Sequence, residues 1–302
     1  MLNSSHFELV YNLAILANNV YFSSYWINNP NYNVTDISLD NNTVKSFYFK
    51  NLNDDFPPVI SFKGTSTIFG LQENGYINYS IYDYDKNNLH QYSTYYSDKF
   101  NDNLYFSCCF YKQSSIFNSS DCDCKEKEKE KMCCKKCYKD SLQFNLNYIK
   151  IASNIINNIK DDIDFNNIVF TGHSLGGTIA TLMGILYNKT AISFQSPGNQ
   201  YYLDLIGLTA HDNIYHFGHN ADPLFLGNCG KTCSTFGYHV YTKCHSGYTC
   251  SYDAKEKLNY TESILNHRID TIIKNIIPHW RNDFPHCVKN TECSDCESWT
   301  FY

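Results

Sequence analysis

One hexapeptide constrains this chain more than any other stretch. Gly172-His173-Ser174-Leu175-Gly176-Gly177 stands between the β-branched and aromatic run Ile168-Val169-Phe170-Thr171 and a small, apolar run from Thr178 to Leu186. An extended segment, a tight turn and a helix in that order make the arrangement of a G-x-S-x-G nucleophile elbow. The turn must push the Ser174 hydroxyl out of the sheet, which brings the strand and helix backbones close together. Gly172 and Gly176 support such an elbow because neither presents a side chain to that approach. Ser174 is therefore expected in a strained backbone conformation, poised as a nucleophile.

Around the elbow the apolar pattern alternates between helical and extended spacing. Residues 7–21 carry Val10, Leu13, Ala14 and Ala17 at helical spacing and predict an amphipathic helix covering a sheet. Residues 139–160 predict a long helix leading into the nucleophile strand, and residues 258–277 a final helix opened by His267 and stopped by Pro278. Residues 58–62, 190–194 and 214–217 read as strands, and residues 46–49 as an edge strand. Strands alternating with helices predict an α/β fold, α/β-hydrolase-like, with a mostly parallel sheet flanked by helices and disulfide-rich loops. At 302 residues, 43% of them hydrophobic, the chain can fill one large core. It is read as a single catalytic domain over 1–302, with cysteine-rich insertions at about 108–137 and 229–250 and a cysteine-rich tail over 278–302. Residues 68–96 are rich in tyrosine and suit either a lid or a locally packed excursion, and the alternating charges of residues 125–131 read as a solvated loop.

A net charge of −6 without any basic concentration speaks against nucleic acid as a partner. No apolar run reaches the roughly 18 residues that cross a bilayer as a helix. The 14 cysteines fall outside the expected core elements, which favours disulfides formed in an oxidising compartment over catalytic thiols. Cys134-x-x-Cys137 and Cys293-x-x-Cys296 have zinc-ligand spacing, but neither has a matching second knuckle, so no metal and no other cofactor is expected. Seven N-x-S/T sequons, at Asn3, Asn33, Asn41, Asn78, Asn118, Asn188 and Asn259, fit a glycoprotein of the secretory pathway. Residues 1–19 show neither a basic leader nor a sustained apolar core. Either a targeting segment precedes this stretch, or the cysteines live in a reducing compartment.

A serine hydroxyl needs a neutral imidazole to take its proton and an acid to orient that imidazole, in the chain order serine, aspartate, histidine. Asp222 has the best context for the acid, because it follows a predicted strand and precedes Pro223 on a rigid turn. His267 opens an apolar-periodic segment and is the first choice of base, with His245 and His239 as alternatives among the cysteines. The strand at 58–62 ends in Gly64-Thr65-Ser66, where the early loop of such a fold supplies an oxyanion donor beside the backbone N–H of Leu175.

These motifs resemble the class 3 lipase superfamily, through Lys63-Gly64-Thr65 and Thr171-Gly172-His173-Ser174-Leu175-Gly176-Gly177. Within it, the chain is similar to the branch of fungal autophagic-body lipases. The likeness is carried by Asn103-Leu104-Tyr105-Phe106-Ser107-Cys108-Cys109, Cys122-Asp123-Cys124, Phe217-Gly218-His219-Asn220-Ala221-Asp222-Pro223, Cys244-His245-Ser246-Gly247, Asn266-His267-Arg268-Ile269 and Cys293-Ser294-Asp295-Cys296-Glu297-Ser298-Trp299. The resemblance implies a triad of Ser174, Asp222 and His267, with Thr65 and Leu175 as oxyanion donors. It also implies ester hydrolysis of membrane phospholipids or neutral lipids at a bilayer surface, during breakdown of autophagic membranes in a vacuolar or lysosomal lumen. An esterase for soluble or polysaccharide-linked esters, and a catalytically silent lipid-binding protein, are the competing expectations.

Overall fold

The computed structural model describes residues 2, 4–21, 32–39, 44–52, 55–65, 93–110, 131–143, 145–235, 237–289 and 291–302. The expected lid at 68–96 falls outside the described residues up to residue 92, as do Cys122, Cys124, most of the charged loop, and the sequons at Asn3, Asn41, Asn78 and Asn118.

The opening helix α1 (Phe7–Asn19) is followed by β1 (Tyr32–Asp36), β2 (Ser46–Asn51), β3 (Val59–Phe62) and helix α2 (Ser93–Phe106). Short pieces β4 (Met132–Cys133) and α3 (Lys135–Ser141) lead to α4 (Tyr148–Ile159). The nucleophile unit is β5 (Val169–His173) and α5 (Leu175–Tyr187), and β6 (Thr190–Phe194), α6 (Gln200–Ile206) and β7 (Ile214–His219) continue the alternation. After α7 (Gly230–Thr235) come β8 (Tyr248–Tyr252), α8 (Ala254–Leu258), β9 (Cys287–Val288) and β10 (Thr300–Phe301). One eight-stranded sheet runs in the order β1-β2-β3-β5-β6-β7-β8-β9. Its centre is parallel from β3 to β8, and β1, β2 and β9 add antiparallel edges. This is the α/β architecture expected from the alternating pattern.

Strand residues point alternately to two buried layers. On β5, Phe170 faces the layer formed by α2, α4 and α5, whereas Val169 faces α1 and the terminal helical segment. Helix α5 is buried through Ile185 because α4 and the sheet cover it from opposite sides. Each fully buried ring, such as Phe62 or Phe170, contributes about 1.5–3 kcal/mol of burial energy.

Four expectations need correction. The helix at 139–160 is two helices, because Asn147 accepts from the Ile149 N–H as an N-cap and starts α4 afresh. The final helix is also broken: α8 stops at Asn259 in the left-handed region, Ser263 caps the 3-10 turn Ile264–His267, and residues 269–280 continue as α, π and 3-10 pieces with Pro278 inside the last. β2 is not an edge strand, since β1 pairs outside it. Finally, the cysteines do not avoid the core. Cys250 on β8 is bonded to Cys287 on β9, with both buried, and Cys108, Cys109, Cys133 and Cys233 are buried as well. The remaining bridges among the described residues are Cys108–Cys296, Cys109–Cys133, Cys229–Cys233 and Cys244–Cys293. Cys293 and Cys296 therefore hold different disulfide partners and do not form a knuckle.

Candidate active site

Ser174 sits between β5 and α5 with φ 56° and ψ −127°, a conformation that side-chain-bearing residues rarely adopt. Two close approaches enforce it. A Cβ on Gly172 would run into the backbone of Gly176, and one on Gly176 would run into the Phe62 carbonyl at the end of β3. The strand, the helix and the β3 loop meet here with no room for a methyl group, and the hydroxyl is turned toward His267.

The Ser174 Oγ lies 2.8 Å from His267 Nε2, and His267 Nδ1 lies 2.8 Å from Asp222 Oδ2. Asp222 is fully buried and its other oxygen accepts from the Leu224 N–H at 3.0 Å. Burial pushes the Asp222 carboxyl up, but the attraction and hydrogen bond of His267 and the Leu224 N–H pull it down further, so it stays an anion below the ordinary carboxylate range. The three side chains thus form one hydrogen-bonded series in which an anion fixes the imidazole that faces the serine. The alternative bases lie elsewhere: His245 donates from Nε2 to the Ser196 carbonyl at 2.9 Å, and His239 Nδ1 meets the Tyr241 hydroxyl at 3.2 Å.

The segment carrying His267 is held by its main chain. His173 Nε2 donates to the His267 carbonyl at 2.7 Å, while His173 Nδ1 accepts from the Tyr21 hydroxyl at 2.8 Å. One residue earlier, the Asn266 carbonyl accepts from Gln195 Nε2 at 2.7 Å and from His219 Nε2 at 3.0 Å. The Asn266 amide in turn donates to the Ala221 carbonyl at 3.2 Å, joining the histidine segment to the Asp222 turn. Burial lowers His173 to about 3 and lowers His219 as well, so both act as neutral hydrogen-bonding groups.

Leu175 is the first residue of α5, so its N–H is one of the donors a helix start leaves without an internal partner. Thr65 leaves the β3 end, where a Cβ on Gly64 would collide with the His173 carbonyl, and its hydroxyl lies 2.6 Å from Asp102 Oδ2 on α2. Burial pushes the Asp102 carboxyl up to about 8, against the Thr65 hydrogen bond and with the added push of Asp98.

The profile of the family described as Lipase (class 3) matches residues 59–224, a segment from β3 through the Asp222 turn. The chain belongs to the class 3 lipase family. A curated protein of Pichia angusta named "Putative lipase ATG15" is 33% identical over 315 residues, covering 99% of this chain and 55% of that protein. A Yarrowia lipolytica protein of the same name is 31% identical over 310 residues, covering 97% of this chain and 52% of its own length. The chain thus spans about half the length of these relatives. Among solved structures, lipase II from Rhizopus niveus aligns at 14% identity and a TM-score of 0.40, over 88% of this chain and 94% of that one.

Within this class 3 lipase, reading the sequence residue by residue did not single out His173, Gln195, His219, Tyr21 or Asp102 as parts of the site. His173 lies in the elbow and carried a usable signal, since a histidine in an otherwise small, apolar turn must find partners once buried. Asp102 carried a weaker one: an acid in a helix whose neighbours Phe100, Leu104 and Phe106 are all buried.

Proposed function

We propose that this class 3 lipase hydrolyses carboxylic ester bonds of membrane phospholipids or neutral lipids. The observation that carries the reading is the pair of 2.8 Å contacts running from Ser174 through His267 to Asp222. In this reading His267 takes the Ser174 proton as the hydroxyl attacks the acyl carbonyl, and Asp222 stabilises the imidazolium that forms. The tetrahedral oxyanion is held by the N–H of Leu175 and by Thr65. The acyl-enzyme is then cleaved by water, with His267 again moving the proton, and each oxyanion donor contributes on the order of 10²–10³ in rate.

An apolar substrate is supported by Ile264 and Leu265, which lie exposed three and two residues before His267. The disulfides support an oxidising compartment, and the similarity to autophagic-body lipases supports a vacuolar or lysosomal lumen with bilayer lipid as the substrate. The test is product analysis by mass spectrometry from mixed phospholipid and triglyceride liposomes, comparing wild type with Ser174→Ala. Fatty acid release by wild type, with only background release by the variant, is the expected result. Equal release by both would overturn the reading.

A further inference from the structure

We propose that Gln195 is the positioning residue that ties the three segments of the triad to one another, and that its left-handed backbone is kept so that its amide can hold the carbonyl before His267. This rests on the hydrolase reading above and adds to it a residue that acts through His267. The first observation is conformational. Among the described residues, those other than glycine with a left-handed φ are Lys131, Ser174, Asn188, Gln195, Asn259 and Cys296. Asn188 and Asn259 are exposed and end helices, where asparagine tolerates that conformation. Of the six, only Ser174 and Gln195 are buried. The elbow accounts for Ser174. Gln195, at φ 50° and fully buried, is not a residue type that favours this conformation by a local bond, so its surroundings must hold it there.

Those surroundings are the segments that carry the triad. Gln195 follows the last residue of β6, and the peptide unit between Phe194 and Gln195 is used at both ends. Its carbonyl, on Phe194, accepts from the Ser174 N–H at 2.9 Å. Its N–H, on Gln195, donates at 2.7 Å to the carbonyl of Phe217 on β7, the strand that leads into the Asp222 turn. The side chain makes the third connection, from Nε2 to the Asn266 carbonyl at 2.7 Å. One peptide unit and one amide thus join the nucleophile elbow, the aspartate strand and the histidine segment.

The amide is kept for its nitrogen. Turned the other way, it would set its oxygen 2.7 Å from the Asn266 carbonyl, with two acceptors facing each other. In the orientation that bonds, Oε1 is buried without a hydrogen-bond partner, a cost that an apolar side chain of the same length would not carry. His219 Nε2 lies 3.0 Å from Gln195 Nε2 and converges on the same carbonyl, while His219 Nδ1 accepts from the Ala221 N–H at 3.3 Å. The Asn266 carbonyl is therefore fixed from β6 and β7 together, one residue before the imidazole that meets Ser174 at 2.8 Å. Strain at residue 195 and an unpaired oxygen are both retained, and what they secure is the approach of His267.

The experiment measures kcat and KM for p-nitrophenyl butyrate on the disulfide-intact chain. The Ser174→Ala rate is subtracted, and kcat is expressed per Ser174 titrated with a fluorophosphonate, so that unfolded chains do not count. Gln195→Met keeps the length of the side chain and the left-handed backbone but has no N–H to give. Gln195→Gly suits the backbone conformation and has no N–H either. Both should lose kcat by roughly tenfold or more with KM within about twofold of wild type, because a loosely held base costs rate rather than binding. Should Gln195→Met not fold by circular dichroism, Gln195→Gly decides. Wild-type kcat in Gln195→Gly would show that the amide is dispensable and overturn the inference. So would a Gln195→Met loss confined to KM or to the number of titratable serines, which is what a merely structural role would give. Either outcome leaves the hydrolase reading intact, since Ser174-dependent hydrolysis by wild type stands apart from both variants. Ser174→Ala hydrolysing as fast as wild type would overturn that reading and the inference together.

Discussion

His173 donates from Nε2 to the main-chain carbonyl of His267 at 2.7 Å, so the residue before the serine holds in place the residue that meets it. Because the same ring accepts from Tyr21 on its other nitrogen, a residue just after α1 is tied to the histidine segment through the His173 ring. His173→Leu removes both bonds and leaves the His267 carbonyl without this donor and the Tyr21 O–H without its acceptor, a loss of about 1–3 kcal/mol. The expected result is a fall in kcat of roughly tenfold or more with KM little changed, since a small misplacement of the base costs rate rather than binding. Steady-state kinetics on a soluble ester, together with labelling of Ser174 by a fluorophosphonate, would show it.

Asp222→Asn should preserve the turn but reverse the hydrogen bond to His267 Nδ1. The amide would donate where the carboxylate accepts, forcing the proton onto Nε2 and away from its role as base toward Ser174. A kcat loss of about 10⁴-fold is expected, with the chain still folded. A variant within tenfold of wild type would show that Asp222 does not orient the base.

Stability should fall in acid. Burial holds His173 at about 3 and His245 at about 4, and also lowers His216 and His219, whereas the unfolded chain takes up protons on these residues near 6.5. The folded values are depressed, so the unfolded state binds more protons below about pH 6.5, and stability is lost as the pH falls from there toward the folded values. Each such histidine costs up to about 1.4 kcal/mol per pH unit in that window. Asp102 opposes the trend because its raised value lets the folded state take up a proton first. Urea unfolding at about pH 7 and about pH 5 should show the lower midpoint at pH 5, and His245→Phe should narrow the gap between them.

The Cys250–Cys287 bridge joins β8 to the edge strand β9 across 37 residues. Replacing both cysteines with alanine should cost about 4 kcal/mol by the loop-closure relation. Because β8 lies next to β7, whose end leads into the Asp222 turn, activity should be lost at a lower temperature while the rate at low temperature stays near wild type. Thermal inactivation of the double variant, followed by residual ester hydrolysis, measures this.

Much of this protein is legible locally. The elbow, the parallel strands and the opening helix depend on spacing within a dozen residues, where sterics and apolar period act directly, and the strain at Ser174 follows from the glycines on either side. Other features were hidden because they depend on partners far along the chain. β8 sits in cysteine-rich sequence and becomes a strand by pairing with β7, and α2 is rich in asparagine and aspartate that look solvated until Thr65, Tyr148 and the 237–239 segment bond to them. The break before His267 is made by Ser263 and Asn259, whose capping outweighs an apolar period that continues through it.

By itself, then, the sequence determined the α/β class and Ser174 as the residue on the elbow, because each follows from short-range geometry. Only the tertiary structure decided which histidine faces that serine. His267, His245 and His239 are chemically identical, and what separates them is the set of side-chain N–H donors from His173, Gln195 and His219 that hold the Asn266 and His267 carbonyls and turn that main-chain segment toward Ser174.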